Sequence, residues 1–481
     1  MPATIPDGGG VGDASYQDLA FYNIIDGKTR NSDVKEQVVD PRTEETLWDV
    51  PVASAQDLDD AVEAANRAFK TWRYVSHEER EKILQSIADC LRANKDVLAH
   101  AHAKETGKTN LMAGVDVEVS ALHYEYYKGM KLEDEVQYED AEVTIVGTYV
   151  PIGVTAAISP WNFPLLLSTV KVVSALATGN CVIIKPSPFT PYATLKFCEL
   201  AQSVLPPGVF QALHGGADLG ERMTLHSGIH QISFTGTVAV GQRILQNCTK
   251  TMKKVILEMA GNDAAIVCAD ADLAKVIPSV AHGCFFHAGQ VCVASKRIYV
   301  HESLYDRFME LFVEEAKKWS QYNPLFAPLG NKPNFERAKG LIEDSKKNHH
   351  NIILGGEVKT DEKGFWIPPT IVAKPPEESR IVQEEQFAPI TPVMTWSDED
   401  DVIARANLEN SGLGASLYTP DMEKARRIAG RLESGSVWIN RFERPHFGAY
   451  FAGWKLSGFG GELGKRGLYD YSQLQCLHFH K

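Results

Sequence analysis

The middle of the chain alternates short apolar runs with longer segments whose apolar residues recur every three or four positions. The short runs predict buried strands, and the periodic segments predict amphipathic helices. Repeated strand–helix pairs of this kind are typical of a parallel sheet covered by helices on both faces. The predicted strands span 154–158, 181–184, 209–213, 231–234 and 254–257, and the predicted helices span 165–178, 192–204, 218–226 and 240–246.

Two helical patterns precede this region. Ser54 is followed by Asp57 at the spacing of a capping box, and Leu58 and Val62 then lie on one helix face. A second apolar pattern of helical period predicts one continuous helix over 78–101.

The second half of the chain continues the alternation, from about residue 260 to 458, with longer helices such as 303–319. It therefore predicts a second α/β domain. Two more segments, 138–150 and 471–479, have the pattern of extended chain and belong to neither domain. On their own they indicate two edge strands.

Bulk composition narrows the class of protein. The 481 residues carry a net charge of −13, with 44% hydrophobic and 23% charged residues. A nucleic-acid surface is unexpected because the chain lacks long basic clusters, and a membrane span is unexpected because it lacks a long apolar stretch. The glycine-rich first twenty residues are typical of a flexible tail rather than a targeting peptide.

Eight cysteines are scattered along the chain, with no CxxC pair and no spacing typical of zinc, so we expect no metal site. Unpaired thiols in a long chain favour a reducing compartment, and we expect a cytoplasmic protein. For most of these cysteines a packed, unreactive thiol is the simplest interpretation.

Cys292 and Glu258 are the strongest candidates for chemistry. Cys292 lies in the segment GQVCV, and Glu258 follows the predicted strand 254–257. A thiolate can attack an electrophilic carbon and hold it as a covalent intermediate. A nearby carboxylate can then activate the water that releases it. The alternative for Glu258 is a solvated carboxylate at a strand end.

Five further motifs occur with this pair: PWNFP at 160–164, KPS at 185–187, FTGT at 234–237, EEQFAP at 384–389 and FAGWKLSG at 451–458. In this order, and together with Cys292 and Glu258, they resemble the NAD(P)-dependent aldehyde dehydrogenase superfamily. The resemblance runs from roughly Phe21 to near the C-terminus.

The resemblance implies an α/β fold of three parts. A doubly wound parallel-sheet, dinucleotide-binding domain would comprise 15–130 and 149–259, and an α/β catalytic domain would comprise 260–458. Segments 131–148 and 466–481 would form a small β element for oligomerisation, giving a homodimer or homotetramer.

The implied reaction oxidises an aldehyde to the carboxylic acid through a Cys292 thiohemiacetal and a thioester that water hydrolyses. Asn162 would donate its side-chain amide to the oxyanion, together with the Cys292 backbone N–H. Glu258 would be the general base. Lys171 and Glu462 match positions associated with proton escape, although a surface lysine and an exposed glutamate are the simpler alternatives.

The cofactor side lacks a GxGxxG fingerprint. Gly236 and Thr237, where a helix opens, are better placed for a pyrophosphate. The implied cofactor is NAD, and NADP stays possible because Pro188 stands where NAD-preferring relatives commonly carry an acid. The candidate cofactor-binding residues are Ile158, Ser159, Pro160, Trp161, Lys185, Ser187, Pro188, Gly216, Gly220, Phe234, Gly236, Thr237, Val240, Met259, Glu385 and Phe387.

Besides Pro188, four positions depart from the usual pattern of the superfamily. Asn262 replaces a lysine and His287 replaces an asparagine, while Ala260 and Ala388 stand where glycine is commoner. No reacting group is lost at these positions.

The candidate substrate wall is entirely apolar or aromatic, which favours an uncharged aliphatic or aromatic aldehyde. A loop carrying Arg441, Arg444 and His446 keeps a polar or acidic substrate open. The wall residues are Phe163, Leu167, Val170, Val291, Val293 and Phe451.

Two other functions remain open. A coenzyme-A-acylating dehydrogenase would resolve the thioester with a thiol, and such relatives typically lack the base that Glu258 provides. A non-catalytic binding member of the superfamily would not need the intact set of Cys292, Glu258 and Asn162. A cysteine hydrolase is disfavoured because no histidine lies in a recognisable partner motif.

Overall fold

A computed structural model describes residues 19–359, 362–442 and 444–481. Most of the glycine-rich start lies outside these ranges. The strands are β1 (Asn23–Ile25), β2 (Lys28–Arg30), β3 (Lys35–Val39), β4 (Thr46–Pro51), β5 (Glu135–Glu139), β6 (Val143–Pro151), β7 (Val154–Ile158), β8 (Cys181–Lys185), β9 (Phe210–Ala212), β10 (Gln231–Gly236), β11 (Lys254–Met259), β12 (Ala264–Val267), β13 (Arg297–His301), β14 (Asn351–Leu354), β15 (Thr370–Ala373), β16 (Ile390–Trp396), β17 (Gly414–Tyr418), β18 (Ser436–Ile439), β19 (Phe451–Ala452), β20 (Gly458–Phe459), β21 (Gly461–Glu462) and β22 (Ser472–His480).

The α-helices run between these strands. They are α1 (Ala55–Trp72), α2 (His77–Ala93), α3 (Lys95–Thr106), α4 (Asn110–Tyr127), α5 (Pro164–Ala177), α6 (Tyr192–Ala201), α7 (Ala217–Leu225), α8 (Val238–Cys248), α9 (Leu273–Phe285), α10 (Tyr305–Ala316), α11 (Lys332–Lys347), α12 (Arg380–Gln383), α13 (Glu399–Ala406), α14 (Met422–Ala429) and α15 (Gly464–Asp470).

Two large sheets organise the fold. The first has the order β2-β1-β9-β8-β7-β10-β11-β20, and the second has the order β14-β15-β16-β13-β12-β17-β18. Strands β7 to β11 are parallel to one another, as are β12, β13 and β15 to β18. Each sheet has its own hydrophobic core. The predicted α/β fold is therefore confirmed.

The predicted strands and helices of the first sheet are confirmed, with ends that differ by a few residues. The capping box of α1 is also present: Ser54 Oγ accepts from the Asp57 N–H at 3.1 Å, and Asp57 Oδ2 accepts from the Ser54 N–H at 2.8 Å.

The single helix predicted over 78–101 is wrong. Asn94 ends α2 and begins α3, with φ −113° and ψ 22°. Its side-chain amide donates to the carbonyl of Cys90 at 2.8 Å, and its backbone N–H donates to the same carbonyl at 3.2 Å. Apolar residues keep their helical spacing on both sides of Asn94, so the sequence pattern gave no sign that the helix is interrupted there.

The two extended segments pair with each other in a separate sheet of order β22-β6-β5. The register runs from Ser472 opposite Pro151 to His480 opposite Val143. Large apolar side chains of this sheet are exposed, namely Val136, Tyr138, Leu474, Leu477 and Phe479. Its oligomerisation role stays a prediction, and so do the proposed domain boundaries.

Within the residues that the structure describes, no helix combines the length and apolarity needed to cross a membrane.

Candidate active site

The carboxyl ends of four parallel strands meet at one edge of the first sheet. Ile158 at the end of β7 pairs with Lys185 of β8 and with Phe234 of β10, and Gly236 of β10 pairs with Met259 of β11. Ligands of open α/β sheets bind beyond such strand ends. This edge therefore gathers the strand-end motifs that the sequence singled out.

The nucleophile loop, residues 286–292, approaches this edge from the second sheet. It begins at the end of α9 with a short 3₁₀ segment, Phe286–Gly289, in which His287 (φ 49°) and Ala288 (φ 54°) are left-handed. Gly289 has φ 71°, and a Cβ there would lie 2.6 Å from the carbonyl oxygen of Ala388. Only glycine fits this close approach without displacing backbone.

Glu258 lies beside Cys292 and is buried within β11, rather than solvated at a strand end. The strand β20 pairs with β11 and places Gly458 opposite Glu258, and Glu258 is 7% exposed. Its Oε2 accepts from Thr235 Oγ1 at 2.9 Å. Burial raises the pKa of the Glu258 carboxyl, and this outweighs the lowering effect of Lys171 and of the Cys292 thiol.

The Cys292 thiol is held in its neutral form. Burial and the adjacent Glu258 carboxylate raise its pKa well above the ordinary value, against the smaller, opposite effect of Lys296. Since the thiolate is the nucleophile, attack requires removal of this proton. Glu258 is the adjacent group able to accept it.

Asn162 reaches the nucleophile loop from the turn that follows β7. Its side chain is buried, and Nδ2 donates to the carbonyl oxygen of Gln290 at 2.9 Å. An amide has two N–H donors, so one remains for an oxyanion. The structure thus brings Asn162, Cys292 and Glu258 together, although they come from distant parts of the chain.

Lys171 and Glu462 form a buried ion pair, so the alternative of a surface lysine and an exposed glutamate is wrong. Lys171 Nζ lies 3.0 Å from Glu462 Oε1 and 3.1 Å from Ser233 Oγ. Ser233 and Tyr471 also donate to Glu462 Oε1, each at 2.8 Å. Lys171 lies near enough to Glu258 for its charge to lower the pKa of the Glu258 carboxyl.

Lys296 is a site residue that the sequence did not reveal. It is buried, and Nζ donates to the carbonyl oxygens of Gly261 at 2.7 Å and Cys292 at 2.8 Å. The same ammonium lies 2.9 Å from Glu385 Oε1. Lys296 therefore ties the nucleophile loop to the segment that carries Glu385 and Phe387. Its place shortly after Cys292 was the available signal.

The segment around Glu385 is fixed on its other side by α11. Arg337 donates to the carbonyl oxygen of Glu385 at 2.7 Å, and Asn334 donates to that of Phe387 at 3.0 Å. The Phe387 ring meets the ring of Trp161 edge-on, with centroids 5.4 Å apart.

The cofactor edge suits a dinucleotide. Lys185 is buried, and among the described residues its ammonium donates one hydrogen bond, to the carbonyl oxygen of Pro186 at 3.3 Å, which leaves donors for a ribose. Burial lowers the pKa of Lys185 to about 8, against the opposing charges of Asp218 and Glu36. A Cβ at Gly220 would lie 3.8 Å from the Lys185 side chain, so α7 approaches closely.

Helix α8 begins at this edge with free backbone donors. Thr237 is its N-cap and makes no side-chain capping bond in the structure as described. A Cβ at Gly236 would lie 2.5 Å from the Phe234 ring, so a larger residue there would have to displace that ring. The other predicted cofactor residues of this sheet follow the same strand ends or start α7 and α8, namely Ile158, Ser159, Pro160, Trp161, Ser187, Pro188, Gly216, Val240 and Met259.

Most of the predicted substrate wall surrounds the nucleophile. Val170, Val293 and Phe451 form one apolar cluster, and Val291 and Cys292 pack against it. The Phe163 ring lies 5.2 Å from His287, and Leu167 is half-buried on α5.

An aromatic stack that the sequence did not reveal extends this wall. His282 stacks on Phe286 and on Phe442, with centroids 5.0 and 4.2 Å apart, and Phe286 stacks on Phe163 at 6.3 Å. Arg441 and Arg444 lie near enough to lower the pKa of His282, after the larger effect of burial.

One of the four departures from the family pattern, Asn262, is a buried residue. Its side-chain amide donates to the carbonyl oxygen of Val382 at 2.8 Å.

A sequence profile described as "Aldehyde dehydrogenase family" matches residues 28–477. The chain belongs to the aldehyde dehydrogenase family. It is 42% identical over 462 residues to "Aldehyde dehydrogenase LUC3" of Fusarium sp, a match that covers 96% of this chain and 99% of that protein. It is 36% identical over 460 residues to "Aldehyde dehydrogenase, cytosolic 1" of Mus musculus, covering 93% and 92% of the two chains.

Solved aldehyde dehydrogenases share the whole fold. Betaine aldehyde dehydrogenase of Staphylococcus aureus, solved in complex with NAD+, superposes with a TM-score of 0.92 at 30% identity, covering 97% of this chain and 96% of that one. An aldehyde dehydrogenase variant of Bacillus cereus gives a TM-score of 0.93 at 30% identity, covering 97% and 98%.

Proposed function

We propose that this aldehyde dehydrogenase oxidises an aldehyde to the carboxylic acid with NAD(P)+, through a Cys292 thiohemiacetal and a thioester that water hydrolyses. The observation that carries the proposal is the contact between a neutral, half-buried thiol and a buried carboxylate. Nucleophile and base are then one assembled unit.

The first step joins Cys292 to the aldehyde. Glu258 accepts the thiol proton, and the sulfur lone pair forms a C–S bond to the carbonyl carbon while the C=O π electrons move to oxygen. The second N–H of the Asn162 side chain and the Cys292 backbone N–H donate to that oxyanion.

The cofactor residues hold a dinucleotide at the strand ends. Lys185 supplies donors to a ribose, and the opening turn of α8 offers backbone N–H groups and a favourable dipole to a pyrophosphate. Glu385 is oriented by Lys296 for a second ribose. When bound, NAD(P)+ supplies the hydride acceptor that turns the thiohemiacetal carbon into a thioester. With no acid at Pro188, both NAD and NADP are compatible with this edge.

Deacylation uses Glu258 again. Before that, the thiol proton leaves Glu258, and the buried ion pair of Lys171 and Glu462 gives it a polar exit through otherwise apolar core. The carboxylate then takes a proton from water, the water oxygen attacks the thioester carbon, and the C–S bond breaks to leave the acid product. Glu258 returns this second proton to the Cys292 thiolate.

The substrate that fits best is an uncharged aliphatic or aromatic aldehyde, because the cluster around Cys292 is apolar. A steady-state panel with both cofactors tests this. Preference for a charged aminoaldehyde or a semialdehyde would overturn it and would direct attention to Arg441 and Arg444.

Mass spectrometry of acid-quenched enzyme tests the mechanism. During turnover, the peptide containing Cys292 is expected to carry the mass of the acyl group, in the wild type and equally in Cys90→Ser, which alters another half-buried thiol. An unmodified Cys292 would refute the covalent scheme. Release of an acyl-coenzyme A on addition of coenzyme A would favour the acylating alternative, which the buried base Glu258 disfavours.

We further propose a cytoplasmic homodimer or homotetramer. Its eight unpaired cysteines suit a reducing compartment, and the exposed apolar side chains of the β22-β6-β5 sheet suit a subunit contact. Light scattering of the wild type and of Phe479→Asp gives the assembly; an unchanged mass for the variant would count against this sheet.

A further inference from the structure

His287 is a fully buried residue of the nucleophile loop that takes no part in the steps above. Its Nε2 atom lies 3.1 Å from the backbone oxygen of Asn162, and its ring packs edge-on against Phe163. Since a carbonyl oxygen can only accept, the imidazole carries its proton on Nε2 and donates it there. His287 therefore restrains the main chain at Asn162.

Asn162 is joined to the same loop at a second point, through its 2.9 Å bond to the carbonyl of Gln290. The Gln290 side chain in turn donates to the carbonyls of His287 at 2.9 Å and Pro328 at 3.0 Å. These bonds make Asn162 and the nucleophile loop one unit. The separation between the Asn162 amide and Cys292 therefore depends on His287.

A buried charged cluster lies behind this unit. Lys108 Nζ is 2.5 Å from Asp116 Oδ2, which His102 Nε2 also approaches to 2.8 Å. The same ammonium lies 3.5 Å from the centroid of the Phe163 ring. Burial, then Lys108 and more weakly His102, lower the pKa of His287 well below its usual value, while Asp116 opposes them. The imidazole thus stays neutral near pH 7, and its single proton stays on the Asn162 side.

We propose that His287 is a positioning residue that fixes the oxyanion donor Asn162 in register with Cys292. The proposal rests on the proposed function, because it matters only if Asn162 stabilises an oxyanion. It assigns a role to a residue that neither binds substrate nor exchanges a proton.

The backbone at His287 suggests the matched pair of variants. With φ 49°, the position is left-handed, and asparagine tolerates this conformation while offering amide N–H donors. His287→Asn therefore keeps a donor, whereas His287→Phe keeps a ring against Phe163 but has no donor.

A double-mutant cycle between His287 and Asn162 is the test. His287→Phe is expected to lower kcat about 10- to 100-fold, the effect of misplacing a catalytic group by about 1 Å, with the KM for aldehyde little changed. Asn162→Ala is expected to lower kcat about 100- to 1,000-fold. In the double variant, kcat is expected to match Asn162→Ala within about threefold, because the donor that His287 positions is already gone.

Two measurements separate positioning from general damage. Alkylation of Cys292 by iodoacetamide forms no oxyanion, so its rate is expected to be the same in wild type and His287→Phe. His287→Asn is expected to recover much of the lost kcat. Melting temperature and cofactor fluorescence titration check that each variant is folded, and His301→Asn, at the opposite end of β13, is the unchanged control.

The outcomes distinguish failure of the oxyanion role of Asn162 from failure of the positioning role of His287. If Asn162→Ala keeps full kcat, the oxyanion assignment of the proposed function is wrong. If Asn162→Ala is impaired but the two effects multiply in the double variant, His287 acts independently and the positioning role is refuted. Slowed alkylation in His287→Phe would refute it as well, since the whole loop would then have moved.

Discussion

The nucleophile loop and the cofactor edge meet in one site but are built in opposite ways. Glu258 and Asn162 are buried and Cys292 is half-buried, and hydrogen bonds from several elements hold all three. At the opening of α8, Thr237 and Val240 are exposed, and the helix cap makes no side-chain bond within the described ranges. Reacting groups are thus fixed in advance, whereas the surface that meets a dinucleotide keeps its donors open.

The largest effect on activity is expected from substitution of Cys292, which should abolish the chemistry and spare the cofactor edge. Cys292→Ala is expected to reduce turnover to below detection, because no other group at the site can form the thioester. Cofactor affinity, measured by fluorescence titration, is expected to stay unchanged, since the cofactor edge belongs to a different sheet. Residual dehydrogenase activity in this variant would overturn the assignment, and Cys90→Ser is the matched control.

Glu258 gives the next largest effect. Glu258→Gln is expected to lower turnover about 100- to 10,000-fold, because the amide can neither take the Cys292 proton nor activate the deacylating water. The base works only when deprotonated, and burial raises its pKa. Activity of the wild type is therefore expected to fall as pH drops through that raised pKa, earlier than for an ordinary glutamate. Turnover of the variant close to that of the wild type would refute the role of Glu258 as the base.

Lys185 tests the cofactor edge. Lys185→Met is expected to weaken cofactor binding about tenfold, the loss of one charge-assisted hydrogen bond, with kcat at saturation little altered. Because the pKa of Lys185 is about 8, its ammonium is lost as pH rises through that value. Wild-type affinity is therefore expected to decline above pH 8, and the decline is expected to vanish in the variant. A pH-independent wild-type Kd would contradict this.

The smallest effect compares two helix caps. Ser54→Ala removes the side-chain acceptor of the α1 capping box, which takes the Asp57 N–H, and is expected to cost about 1 kcal/mol of unfolding free energy. Thr237→Ala removes no capping bond and is expected to cost less than about 0.5 kcal/mol. Denaturant titration of both variants provides the measurement. Equal losses would show that the α8 opening is as firmly held as α1.

The strands and helices of the first sheet could be predicted because their apolar patterns are local. The break at Asn94 escaped prediction because the period continues on both sides. The burial of the Glu258, Lys171 and Lys296 side chains could not be predicted for another reason. A charged residue is normally solvated, and the partners that bury these three come from β20, from β21 and from the loop at Glu385.

The same limit applies around His287. Its place in the sequence shows only an unusual residue before the nucleophile. Its neighbours come from far earlier in the chain: Lys108 lies in the turn before α4, and Asp116 lies in α4. Pairing across such distances depends on tertiary packing, which no local pattern encodes.

The raised pKa of the Cys292 thiol has a consequence for the idle enzyme. Peroxides react with thiolates far faster than with neutral thiols. A sulfur that keeps its proton until an aldehyde arrives is therefore spared from oxidation between turnovers, and the protein can remain competent through oxidative episodes that would inactivate a permanently ionised cysteine.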